Sequence, residues 1–292
     1  MTERMIKANG VDICTEAFGD PSDTPVLLVM GASASMLLWP EDFCERLAAA
    51  GRYVIRYDNR DTGLSVHYPV GEPEYSVEDM ADDAVGVLDA YGIDSAHIVG
   101  ASMGGMITQQ VALRHRDRVR TITPIMSTPD PSAVLGALTG DNPEGALPGP
   151  SPEVLAVAMA GPTLDYSDKK AVAQNRVDMF RILHGPAHPF DEQGQLELYT
   201  NEVDRDPQFA STQNHAVAIA KTPSWRSRLA GLDVPTLVIH GTADPILPYE
   251  HGVALAKEIP GADLITMEGV GHELPVEEWD TIVPAILRHT AS

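Results

Sequence analysis

Apolar residues along this chain fall into short unbroken runs separated by stretches of helical spacing. Residues 25–30 (PVLLVM), 53–58 (YVIRYD), 96–100 (AHIVG), 121–126, 235–240 (PTLVIH) and 263–267 have strand length. Such continuous runs predict strands buried on both faces, hence a parallel sheet covered by helices. The helices are predicted over residues 39–50, 76–91, 103–115, 249–258 and 276–289. Ser76 followed by Asp79 gives the second of these a capping signature. Two further strands, residues 4–7 and 11–18, flank Asn9-Gly10, a pair suited to a tight primed hairpin turn.

Residues 129–234 break the alternation. This stretch opens rich in proline (Pro129, Pro131, Pro143, Pro148, Pro150, Pro152) and then turns helical and polar. The expected fold is α/β: a mostly parallel eight-stranded sheet flanked by helices, formed by residues 1–128 and 235–292. Residues 129–234 are expected to form a helical cap inserted over the sheet's carboxyl edge. No internal repeat is visible.

Composition changes this picture little. A hydrophobic content of 43% with 21% charged residues suits a globular protein and argues against extended disorder. The net charge of −22 argues against a nucleic-acid partner and against docking on anionic lipid. It predicts a self-repelling surface, or attraction of cationic substrates such as amino-sugar conjugates. Cys14 and Cys44 are too few for a disulfide scaffold and are read as free and partly buried. The first residues lack an apolar signal core, and no run reaches membrane-spanning length, so a cytoplasmic location is expected. The partner expected is a small-molecule ester, and the chain is expected to act as a monomer or homodimer.

The chemistry concentrates in three places. Gly100-Ala101-Ser102-Met103-Gly104 matches G-x-S-x-G between a strand and a helix, the context in which a serine is lifted above the sheet on a sharp turn. A serine hydroxyl needs a general base within reach. Of ten histidines, His272 stands out because Gly269 and Gly271 leave it room on the loop after the last strand. His97, His115 and His289 read as structural and His240 as a support, whereas His184, His188 and His215 lie in the inserted segment as candidates to meet substrate. The carboxylate that orients the base is expected to be Asp244, in Gly241-Thr242-Ala243-Asp244-Pro245, with Asp130 as its rival. The oxyanion donors are expected to be the N–H groups of Met103 and of Ala32, the latter on the loop Met30-Gly31-Ala32-Ser33. Met30, Gly31, Met159, Phe180 and Trp225 are the expected substrate contacts.

The ordered segments VMGA, GASMGG, GTADP and GVGHELP resemble those of the α/β-hydrolase superfamily. Residues 56–65 (RYDNRDTGLS) are similar to that family's D-x-R-G-x-G-x-S loop, with Asp61 in place of the usual glycine. This variant, with Trp39-Pro40 and no histidine before Gly31, resembles the aclacinomycin methylesterases and the esterases that open macrolide lactones. The resemblance implies Ser102, Asp244 and His272 as a triad, no cofactor and no metal, and a bulky polyketide ester as substrate. Macrolactone opening and methyl-ester cleavage stand level at this point. A cofactor-free C–C bond hydrolase and a non-enzymatic ligand receptor are the alternatives on the same fold.

Overall fold

Val26, Leu27, Leu28 and Val29 are all fully buried, as an apolar run sandwiched between two helical layers must be. They belong to β3 (Thr24–Val29), at the centre of an eight-stranded sheet in the order β1-β2-β4-β3-β5-β6-β7-β8. The computed structural model describes residues 2–132, 136, 146–160 and 164–291, with backbone only for residues 158–160. The other strands are β1 (Arg4–Ala8), β2 (Val11–Phe18), β4 (Arg52–Tyr57), β5 (Ala96–Ala101), β6 (Val119–Ile125), β7 (Leu237–Gly241) and β8 (Asp263–Met267). Asn9 and Gly10 take φ values of 47° and 82°, which joins β1 to β2 as the primed turn requires. β2 is antiparallel to both β1 and β4, and every later pairing is parallel.

Helices α1 (Glu41–Ala49) and α9 (Trp279–His289) cover one face, where Phe43, Leu47, Trp279 and Ile282 enclose the sheet's apolar side chains. Helices α2 (Val77–Ala90), α3 (Met103–Arg114) and α8 (Glu250–Glu258) cover the other. Ser76 and Asp79 form the expected capping box at the start of α2. Pro40 delays the first helix: residues 36–38 form a separate 3-10 turn and α1 starts at Glu41. The chain passes from β3 through α1 to β4 on one side, then returns over β3 to β5 on the other. The loops leaving β3 and β5 therefore diverge. In open α/β sheets such a reversal leaves a crevice at the carboxyl edge, where ligands bind.

Between β6 and β7 lie α4 (Pro152–Ala160), α5 (Lys169–Leu183), α6 (Glu192–Arg205) and α7 (Asn214–Lys221). Val172, Val177, Tyr199, Val203 and Phe209 give this insertion an apolar cluster of its own. Cys14 and Cys44 are free and fully buried, and burial pushes both thiols up to about 12. Among the described residues no helix is long and apolar enough to cross a membrane.

Candidate active site

β5 ends at Ala101 and α3 begins at Met103, so Ser102 alone makes the turn. Its backbone has φ 54° and ψ −119°, a conformation costly for a side-chain-bearing residue. Two hydrogen bonds hold it there. The Ser102 N–H donates to the Ile125 carbonyl at 2.8 Å, and the Ser127 hydroxyl donates to the Ser102 carbonyl at 2.8 Å. Small neighbours make the close approach feasible: a Cβ on Gly104 would collide with the Val29 carbonyl, and one on Gly31 would stand 3.0 Å from the Ser102 Cβ. The first N–H groups of α3, Met103 among them, lack intrahelical acceptors and carry the positive end of the helix dipole.

Asp244 follows β7 and His272 follows β8, so both lie at the same carboxyl edge as Ser102. His272 Nδ1 stands 2.7 Å from Asp244 Oδ2. An ionised carboxylate only accepts, so Nδ1 carries the proton and Nε2 is left as an acceptor. The other carboxylate oxygen, Oδ1, accepts from the Ile246 and Leu247 N–H groups, each at 2.9 Å. Burial alone would raise the Asp244 carboxyl. His272 and His240, through charge and hydrogen bonding, outweigh that and hold it well below the usual carboxylate range. Asp130, the rival, is occupied elsewhere: its carboxylate accepts from the Ser132 N–H at 3.0 Å. Between Ser102 Oγ and His272 no hydrogen bond forms among the described residues. Such contacts often tighten only with substrate bound.

The loop after β3 is pinned at nearly every peptide. Asn59 Nδ2 donates to the Met30 carbonyl at 3.0 Å, Glu202 Oε1 accepts from the Ser35 N–H at 2.6 Å, and Asp58 Oδ1 accepts from the Met36 N–H at 2.9 Å. Among the described residues the Ala32 N–H has no acceptor, which leaves it available as a donor. Asn59 fills a variable position of the 56–65 loop and Glu202 lies outside any motif, and only the folded contacts reveal their part here.

Residues 56–65 hold this region together. Arg60 forms a bidentate pair with Asp83, both contacts at 2.6 Å, and both side chains are buried. Asp58 Oδ2 accepts from Leu64 N–H at 3.0 Å and from Arg205 at 2.7 Å. Asp61 has φ 61°, which explains why a glycine is usual at this point of the loop; aspartate is among the few residues that tolerate such a backbone. Its carboxylate compensates by accepting from Tyr68 N–H, the Tyr75 hydroxyl and Asn214 Nδ2.

Several expected substrate contacts are placed differently. Trp225 is 1% exposed within the main core, and its indole N–H donates to Gln109 Oε1 at 2.9 Å. It packs the fold and presents no face to a ligand. Trp225→Phe should therefore cost about 1–3 kcal/mol in urea unfolding, because the Gln109 carbonyl loses its donor, while kcat and KM stay at wild-type values. Met30 is buried among the apolar side chains of the sheet. Phe180 is half-buried and stacks edge-on against Tyr199 at the margin of the inserted helices' cluster. Met159 falls on α4, where its side chain lies outside the described residues. Gly31 does border Ser102.

The histidines of the insertion also have other partners. His184 Nδ1 stands 2.7 Å from Glu273 Oε2, and His188 Nε2 stands 3.0 Å from Glu278 Oε1. With the His272 N–H donating to the Leu183 carbonyl at 2.8 Å and the Gly185 N–H donating to Glu273 at 2.9 Å, they stitch the end of α5 to the loop carrying His272. His215 is fully buried with both ring nitrogens engaged. His184 and His215 thus have both ring nitrogens bonded within the protein, whereas among the described residues His188 is bonded through Nε2 alone.

A family model described as alpha/beta hydrolase fold matches residues 24–278. The chain is 36% identical to rhodomycin D methylesterase DauP of Streptomyces sp. (strain C5), covering 99% of this chain and 98% of that one. It is 34% identical to rhodomycin D methylesterase DnrP of Streptomyces peucetius, with the same coverage. Among solved structures, the 2-hydroxy-6-oxo-6-phenylhexa-2,4-dienoate hydrolase of Rhodococcus sp. strain RHA1 superposes with a TM-score of 0.76 at 23% identity, over 100% of both chains.

Proposed function

The chain belongs to the alpha/beta hydrolase fold family, and from that premise we propose that it is a serine carboxylic-ester hydrolase cleaving the methyl ester of a bulky anthracycline-type polyketide. The observation that carries the chemistry is the 2.7 Å Asp244–His272 contact at the sheet edge that also bears the strained Ser102. The substrate class follows from the full-length likeness to two rhodomycin D methylesterases.

In this reading Ser102 Oγ attacks the ester carbonyl carbon while His272 Nε2 takes its proton. The resulting imidazolium is stabilised by Asp244, whose depressed pKa keeps it ionised. The Ala32 and Met103 N–H groups donate to the oxyanion. The carbon–oxygen bond to the methoxy group then breaks, His272 returns the proton, and methanol leaves. Water, deprotonated by His272, attacks the acyl-enzyme and releases the free acid and Ser102. Residues 129–234 act as the cap that sets specificity.

The names of the two relatives favour the methyl ester over macrolactone opening. Incubation with anthracycline methyl esters, macrolides and vinylogous diketones, read by mass spectrometry, tests the choice. The expected product has lost the methyl group, with methanol released. Macrolides that gain one water and lose nothing would point to a lactonase. Cleavage of the diketones alone would point to a C–C bond hydrolase, and binding without any turnover to a receptor.

A further inference from the structure

Three successive peptide groups link Met30 to Ser33, and the Ala32 N–H belongs to the middle one. The outer two are held from outside the loop. Asn59 Nδ2 donates to the Met30 carbonyl at 3.0 Å on one side, and the Ser33 N–H donates to His215 Nδ1 at 2.8 Å on the other. Because peptide groups are rigid planes, fixing the two neighbours fixes the direction of the Ala32 N–H.

His215 sits on α7, 182 residues beyond Ser33 in the chain. Its Nε2 lies 2.6 Å from the Arg60 carbonyl. A carbonyl only accepts, so Nε2 carries the proton and Nδ1 is free to accept from Ser33. The ring is fully buried, and both bonds are satisfied only by this one neutral tautomer. Burial keeps the imidazole below its ordinary pKa, against the opposing pull of the Arg60 carbonyl and the Asp61 carboxylate. Arg60 and Asn59 are adjacent, so one loop anchors both sides of the clamp.

Ser33 needs such anchoring. Its φ is 57°, unusual for serine. Its hydroxyl donates to the Thr212 carbonyl at 2.9 Å, and its carbonyl accepts from Arg176 Nη2 at 2.8 Å. Every polar group of Ser33 is thus bonded to a residue of the segment between β6 and β7.

We propose that His215 is a positioning residue for the oxyanion hole, bridging the Arg60 carbonyl and the Ser33 N–H so that the Ala32 N–H points at the developing oxyanion. The inference rests on the reading of Ala32 as an oxyanion donor. It makes the inserted segment part of the catalytic apparatus as well as a cover for substrate.

Three variants test it. His215→Asn keeps an amide oxygen near the Nδ1 position, so Ser33 retains an acceptor. His215→Gln keeps an amide near Nε2 and loses that acceptor, and His215→Leu loses both. Each is assayed for methyl-ester hydrolysis and for affinity toward a trifluoromethyl ketone, which forms a tetrahedral adduct, and toward the product acid, which does not. His215→Leu should lower kcat about 100-fold and weaken the ketone in parallel, leaving KM and product-acid affinity near wild type. His215→Asn should recover most of the loss and His215→Gln should not. If the leucine variant fails to fold, the Asn–Gln contrast in kcat and ketone affinity decides the matter. Equal behaviour of the Asn and Gln variants, or a loss confined to KM, would overturn the proposal. A wild-type enzyme that turns over through Ser102 while all His215 variants match it sinks this inference alone. A wild-type enzyme without ester turnover sinks the functional reading as well.

Discussion

Ser102→Ala is expected to lower kcat for ester hydrolysis by roughly a million-fold, the scale on which removing a serine nucleophile acts elsewhere. The size of the effect follows from the role: without Oγ there is no acyl-enzyme, and the remaining donors polarise a carbonyl that nothing attacks. The fold should not suffer. The hydroxyl makes no hydrogen bond among the described residues, and the two bonds that hold the elbow use the Ser102 backbone. Alanine presents the same Cβ against Gly31. Thermal melts should therefore coincide with wild type, and a large loss of stability would mean that the residue had been misread as purely chemical.

Asp244→Asn should cost about 10⁴-fold in kcat. The asparagine keeps a carbonyl oxygen for the Ile246 and Leu247 N–H groups, so the turn survives. Its amide NH₂ then faces His272 Nδ1 where Oδ2 stood at 2.7 Å. Two donors cannot share that bond, so the imidazole shifts its proton to Nε2 and can no longer accept from Ser102. Asp130→Asn is the matched control. Among the described residues the Asp130 carboxylate accepts from the Ser132 N–H, which asparagine also supports, so activity should stay near wild type. Steady-state kinetics on the two variants, side by side, separates the carboxylates. A strong loss in Asp130→Asn with an active Asp244→Asn would reverse the assignment.

Much of this was legible before folding. The apolar runs of β3 and β5 announced buried parallel strands because nothing in them alternates with polar residues. Asn9-Gly10 and the Ser76–Asp79 cap are local devices, and local chemistry suffices to read them. The elbow is local too, since Gly100, Ser102 and Gly104 lie within five residues. What stayed hidden depends on pairing across the chain. The excursion of β4 around β3, which reverses the direction of the chain across the sheet, leaves no trace in periodicity. Trp225 looked like a pocket wall because a large apolar side chain in a polar segment suits either role; its contact with Gln109, 116 residues away, puts it in the core. His215 looked free to meet substrate for the same reason. Only the folded chain brings Ser33 and Arg60 to its two nitrogens.

The central claim is covalent catalysis by Ser102 on a methyl ester. A rapid-quench reaction of the enzyme with an anthracycline methyl ester, digested and mapped by mass spectrometry, examines it directly. The account predicts methanol release accompanied by an acyl adduct on the peptide containing Ser102, with neither methanol nor adduct from Ser102→Ala. An adduct on another side chain, or methanol release by Ser102→Ala at the wild-type rate, would contradict it.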